Sequence, residues 1–320
     1  PYFPKKRYDK QMALILSIGW LPITVVAYSF HAFAVILDKF LLAQRVQKPS
    51  TYVFWVGVFG LGALILAPID FFVPAPSVIT DAFVSGVAFT FALFFFYIAI
   101  QAGEASRVAP VVGALSPLFV FVLSRGILGE TLSRNELIAF AILILGSVLI
   151  SLAHKKDGSG INNHDLKNIL WLVAASFLFG ITYVYEKAVF NETSFLNGFI
   201  WTRIGGFVGV LPFLVLSQTR DSIFDAPRLA EWTTVWAFLV NKVFGALGFL
   251  LVSLAISIAP SVSLVNAMQG IEYALVFVTA LLVSKFRPSF LEEEVTLRIV
   301  LEKTFAILLI GAAFAILAFP

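Results

Sequence analysis

The chain of 320 residues contains no cysteine, so it forms no disulfide and offers no thiolate as nucleophile or metal ligand. Charge is scarce too. Asp, Glu, Lys and Arg make up 13% of the residues, against roughly a quarter in soluble domains. Histidine occurs only at His31, His154 and His164, and no His-Glu-x-x-His pattern is present, which argues against zinc-hydrolase chemistry. A Gly-x-x-x-x-Gly-Lys-Ser/Thr loop is also lacking, so the chain itself is not expected to draw on ATP. Net charge is only +3, and the basic residues fall mostly between apolar runs rather than in one stripe. Nucleic acid is therefore not an expected partner. The sequence predicts no metal site, no cofactor and no cleavable signal peptide.

Apolar residues, by contrast, make up 60% of the chain, 34 of them Phe, and mean hydropathy is +0.95. A soluble fold of this size could not hide that much apolar surface, whereas a bilayer solvates it. A span needs about 20 mostly apolar residues. Ten segments qualify: 14–38, 51–69, 79–101, 105–124, 135–153, 168–190, 196–217, 233–256, 260–284 and 303–319. Continuous runs of this kind exclude the alternating strands of a membrane barrel. The six Trp residues fall mostly near span ends, where interfacial aromatics belong. The expected fold is thus an all-α, multi-pass integral membrane protein of ten helices. Its expected location is the cell (inner) membrane, and lipid is its surrounding partner.

The most polar, turn-rich stretch runs through Asp157–Gly158–Ser159–Gly160 and Asn162–Asn163. It divides the chain into a first five-helix unit (1–155), a linker (156–167) and a second unit (168–320). The connection from Lys285 to Lys303, with Glu292–Glu293–Glu294, is expected to hold a short interfacial helix. The units share ordered matches. Asp38–Lys39 pairs with Glu186–Lys187 at an offset of 148, and Trp55 and Gly60 pair with Trp201 and Gly206 at 146. Phe140–Ala141–Ile142–Leu143 with Gly146 pairs with Phe305–Ala306–Ile307–Leu308 with Gly311 at 165. Five spans is an odd number, so the second unit enters the membrane inverted. Secondary transporters commonly have this arrangement.

Polar groups within the spans mark the candidate site, because a charge at mid-bilayer costs roughly 2.5–3.5 kcal/mol on insertion scales. Asn266, Gln269, Glu272 and Tyr273 recur at helical spacing on the ninth span and are expected to line a cavity from one face. Arg203 and Lys242 supply cations in the same half. Either Glu272 pairs with one of them, or a cation remains for an anionic substrate group. Glu272 and His31 are the candidate proton carriers. Asp38, Lys39, Glu186 and Lys187 read as gate or fold pairs, and neighbours in sequence do not face each other on a helix.

The stretch from Ile100 to Ile150 carries Pro117 in mid-helix, then Leu128–Gly129–Glu130 with a polar turn, then a late Gly146. It resembles the EamA-type members of the drug/metabolite transporter superfamily. The second half departs from this pattern: Tyr273 stands at the place of Pro117, and Ser284–Lys285–Phe286 at that of Leu128–Gly129–Glu130. The resemblance implies export or exchange of amino acids, other metabolites or drugs by alternating access from a central cavity. It also implies cytoplasmic termini. The distribution of Lys and Arg points the other way, since the side carrying the termini holds the smaller share of them. Two alternatives accompany this expectation: a lipid-linked sugar or lipid flippase, and, from another class, an intramembrane enzyme.

Overall fold

The computed structural model describes residues 19–44, 48–102, 105–152, 163–215, 217–229, 232–286 and 297–318, and regular structure among them is entirely helical. The first half contains α1 (Trp20–Gln44), α2 (Pro49–Gly60), α3 (Pro76–Ala102), α4 (Ala105–Ile127) and α5 (Arg134–Leu152). The second contains α6 (Asn163–Glu192), α7 (Phe195–Val210), α8 (Ser217–Leu229), α9 (Trp232–Ile258), α10 (Val262–Ala267), α11 (Gly270–Phe286) and α12 (Leu297–Ala318). Short 3-10 turns, Leu61–Leu66 and Leu211–Leu214, extend α2 and α7.

Among the described residues, seven stretches are long and apolar enough to cross a membrane: Trp20–Asp38, Pro49–Leu66, Pro76–Gln101, Lys167–Glu192, Val235–Ile258, Val262–Thr279 and Leu301–Ala318. An eighth qualifies only as a sharply bent pair, Phe195–Leu214 with Ser217–Asp225. The expected spans 105–124 and 135–153 fall on α4 and α5, which stand outside those seven. Two sequence expectations change. The seventh span, expected to 217, ends at Leu214, and the connection after it holds a separate helix, α8, which is too polar to continue through lipid. The ninth is not continuous: α10 ends at Ala267 and α11 starts at Gly270. The linker and the Lys285–Lys303 helix fall largely outside the described residues.

Local chemistry sets the ends. Pro49 and Pro76 sit in first turns, where a missing N–H costs nothing. Ser133 and Glu136 form a reciprocal capping box at the start of α5: Ser133 N donates to Glu136 Oε2 at 2.7 Å, and Glu136 N donates to Ser133 Oγ at 3.4 Å. After α4, Gly129 takes φ +68°, a left-handed conformation that glycine adopts without strain. Glu130 N then folds back onto Ser124 O.

The most extensive helix contacts run between the halves: α3 against α6, α1 against α9, α5 against α12, and α3 against α7. There a side chain on Gly86 would overlap the backbone of Gly206 and Thr202, and one on Gly205 would lie 2.8 Å from Ala82 O. Small residues thus bring these two backbones together. The reciprocal approach, α9 to α2, is slight and runs through side chains, with Phe238 5.3 Å from the ring of Tyr52.

Two tryptophans tie the halves at opposite ends. Trp201 Nε1 donates to Phe72 O at 3.0 Å, while Asn197 Oδ1 accepts from Phe72 N at 3.0 Å. Trp55 Nε1 donates to Ile223 O at 3.3 Å, and Lys48 Nζ donates to Ser222 Oγ at 2.6 Å nearby. Each indole therefore holds the segment that follows the other half's second long helix. Trp201→Phe deletes the donor and leaves a smaller aromatic ring in its place. It is expected to cost about 1 kcal/mol, measured as a shift in the denaturation midpoint in detergent.

Candidate functional site

Among the described residues, three acid–base pairs lie within the bundle, and one of them has both members buried. Towards one end, Glu186 on α6 is completely buried and lies 3.8 Å from Nη2 of Arg203 on α7. Ser253 Oγ on α9 donates to Glu186 Oε1 at 2.9 Å. Arg203 sits within a cage of rings, 4.0 Å from the Phe249 centroid, 5.0 Å from Phe89 and 5.3 Å from Phe199. Cation–π contacts of this kind partly replace lost hydration.

Towards the other end, Lys242 Nζ on α9 lies 3.4 Å from Asp38 Oδ1 on α1 and 4.3 Å from the centroid of Tyr52. The Tyr52 hydroxyl and Asn241 Nδ2 donate to the same Asp38 oxygen. One oxygen of Asp38 thus receives three donors. Lys39 follows it on α1, but its side chain lies outside the described set.

Midway along the helices, His31 Nδ1 on α1 lies 3.8 Å from Glu272 Oε2 on α11. Glu272 is therefore partnered by neither Arg203 nor Lys242; each cation has taken a carboxylate of its own. His31 and Asp38 are seven residues apart and share a face of α1. A side chain on Gly248 of α9 would collide with the His31 ring, so that glycine is what lets the imidazole in.

The break beside Glu272 has a definite hydrogen-bond origin. Gln269 N turns to Asn266 O at 3.0 Å, and Ile271 N and Glu272 N likewise bond three residues back, each at 2.9 Å. The Val265 carbonyl, left without its helical partner, accepts the Tyr28 hydroxyl from α1 at 3.0 Å. Asn266 and Tyr273 thus stand on separate helices, joined through Met268–Gln269, rather than on one continuous face. Asn266 is buried and its Oδ1 accepts Ser116 Oγ from α4 at 3.2 Å. Tyr273 is also buried, against Gly113 of α4, and Gln269 is half-buried. Among the described residues, Asn266 Nδ2 and Glu272 Oε2 have no hydrogen-bond partner. Tyr28→Phe strands the Val265 carbonyl and is expected to cost about 1–3 kcal/mol, read from the unfolding midpoint.

A fourth cluster is not evident from the sequence. Lys187 Nζ donates to the carbonyls of Ile256 at 2.9 Å and Ala259 at 2.8 Å, at the C-terminal end of α9. Across the same corner, Glu130 accepts Ser261 Oγ at 2.7 Å and Val262 N at 3.2 Å, at the start of α10. A cation on orphan carbonyls and an anion on orphan amides satisfy both helix ends. The Leu128–Gly129–Glu130 motif was the available signal: the left-handed glycine swings Glu130 under the corner. Glu186 and Lys187, adjacent in sequence, therefore serve different partners.

Residues 18–152 match the family model described as the EamA-like transporter family. A "Probable amino-acid metabolite efflux pump" of Salmonella typhimurium strain LT2 is 25% identical over 189 residues, 56% of this chain. The chain spans 61% of that relative's length. A solved crystal structure has a similar fold, with a TM-score of 0.63 at 15% identity, over 93% of this chain and 95% of that one. Long apolar helices and the family match together define a multi-pass integral membrane protein. Over residues 18–152 the chain is similar to the EamA type within the drug/metabolite transporter superfamily.

Proposed function

We propose that the chain exports a small metabolite of amino-acid type by alternating access, with its two halves acting as inverted five-helix repeats around a central polar site. The observation that carries this reading is the broken span. Secondary transporters place their sites at discontinuous helices near mid-membrane, and here the break sets Asn266, Gln269 and Glu272 against His31 and Tyr28 of the other half. The name of the Salmonella relative supports both the substrate class and the outward direction. Reciprocal packing of α3 on α6 and of α1 on α9 supports the repeat, as do the two tryptophan bonds.

In this reading Arg203, Lys242, Asn266, Gln269, Glu272 and Tyr273 surround the substrate path. Glu272 and His31 exchange a proton, and the pairs at Asp38 and Glu186 gate opposite ends. The tight glycine-lined approach of α3 to α7, beside the slight one of α9 to α2, supports a state closed near Glu186 and looser near Asp38. Exposure follows the same order: the Lys242 and Asp38 side chains are 16% and 18% exposed, Glu186 0%.

The test is counterflow in proteoliposomes, with each standard L-amino acid loaded inside and its labelled form outside. Saturable counterflow is expected. In Glu272→Gln, loss of one charge-assisted contact of about 1.5–3 kcal/mol lowers apparent affinity by about 10- to 150-fold, and dependence on an imposed pH gradient disappears. Unchanged affinity and an unchanged gradient effect in that variant would remove Glu272 from the site.

A further inference from the structure

We infer that Glu186 and Arg203 are the receptor for a zwitterionic head group, Arg203 taking the substrate's carboxylate and Glu186 its ammonium. This rests on the transport reading above and gives its Glu186 gate a second role: the pair that closes that end also recognises the substrate's charged end when the gate opens.

Arg203 and Lys242 were the two candidate cations for this role, and their hydrogen bonding separates them. Asp38, the counter-ion of Lys242, also takes Tyr52 and Asn241 as donors on one oxygen, and Lys242 lies over the face of the Tyr52 ring. In that cluster Lys242 hydrogen-bonds its counter-ion at 3.4 Å, and the buried atom left unmet among the described residues is the neutral Asn241 amide oxygen. The Glu186–Arg203 pair differs. At 3.8 Å the two groups attract without hydrogen bonding. Arg203 Nε and Nη2 lack a partner among the described residues, and so does Glu186 Oε2. A guanidinium carries five donors in a planar fork matched to a carboxylate. Three phenyl rings stabilise its charge but cannot accept those N–H groups in the plane of the fork.

Buried donors and acceptors left unmet are unfavourable, and native proteins keep few of them. Here a spare set of donors and a spare acceptor lie side by side, 9% and 0% exposed respectively. The unmet sets are complementary to one chemical object, an anion and a cation on neighbouring atoms. A lone carboxylate would satisfy Arg203 but leave Glu186 Oε2 bare, and a lone amine would do the reverse.

A narrow cleft reaches the guanidinium from one side, lined by Phe89, Thr90, Arg203 and Gly206, and by Gly57 and Gly60 of α2. A side chain on Gly57 would lie 2.6 Å from Val210, so glycine brings α2 close to α7 beside it, and a head group enters only when these helices part.

The experiment uses purified full-length chain in proteoliposomes. Counterflow of each standard L-amino acid is measured first. For every one that moves, competition is then measured with its amide and its des-amino acid. In the unaltered protein, both analogues are expected to compete at least about tenfold more weakly than the parent, a difference one charge-assisted contact supplies. In Arg203→Met the amide should come to equal the parent while the des-amino acid stays weak. Glu186→Gln should do the reverse. The first comparison needs no variant, so the test survives if one of them fails to fold. If amino acids move but either analogue competes as well as its parent in the unaltered protein, the receptor is overturned while transport stands. Folded variants that keep both ratios unchanged overturn the receptor in the same way. Absence of counterflow for every amino acid overturns the receptor together with the amino-acid reading.

Discussion

Replacing Arg203 alone by Met will destabilise the protein by about 3–5 kcal/mol, the usual cost of stripping one partner from a buried ion pair. Glu186 is completely buried, and after the change only Ser253 would still donate to it. The carboxylate would then have to remain charged without a counter-ion or take up a proton. Replacing both residues, Arg203→Met with Glu186→Met, removes the stranded charge and is expected to cost less than the single change, since well-packed apolar substitutes for buried pairs are often neutral or better. Denaturation midpoints of the two single variants and the double variant, measured in one detergent, form the required cycle. Strictly additive losses would show that the two side chains do not interact at their separation of 3.8 Å.

Gly86→Ala will disrupt the contact between α3 and α7 by about 1–3 kcal/mol or more, the range for forcing atoms into a packed interior. The added methyl overlaps main-chain atoms of Gly206 and Thr202, which cannot turn aside as a side chain would. Relief requires the helices to part, and Gly205, Gly206 and Gly209 all lie along the same seam. Gly62→Ala provides the control: nothing lies within 4 Å of its new atom, and a shift within about 0.5 kcal/mol is expected. Thermal unfolding of both variants distinguishes the outcomes, and equal shifts would mean that the seam yields easily. In the alternating-access reading the same substitution also holds that end apart, so counterflow by Gly86→Ala should fall while Gly62→Ala transports normally.

The long helices were legible in the sequence because lipid requires continuous apolar runs, and a run of about 20 residues needs no tertiary information to be recognised. The exceptions have physical causes. The stop in the ninth span was hidden because Met268–Gln269–Gly270 resembles ordinary helix; the break depends on Tyr28, 237 positions from the carbonyl it holds. α8 was missed because its apolar stripe is short and its character is amphipathic. At the site, residue type identified the buried charges but not their partners. Glu272 and the two cations occur close together in the chain, yet each cation bonds a carboxylate from an earlier helix and Glu272 meets a histidine. Pairing depends on which helices touch, and that information lies in small residues such as Gly248, which admits His31.

The contacts that bind α3 to α6, α1 to α9 and α5 to α12 have one more consequence. The strongest seams do not divide the polypeptide at its midpoint; they stitch the midpoint closed. Severed between residues 152 and 163, the polypeptide should yield fragments that are unstable alone and recover together when co-expressed. In that sense the protein behaves as an obligate pair whose members happen to share one covalent tether.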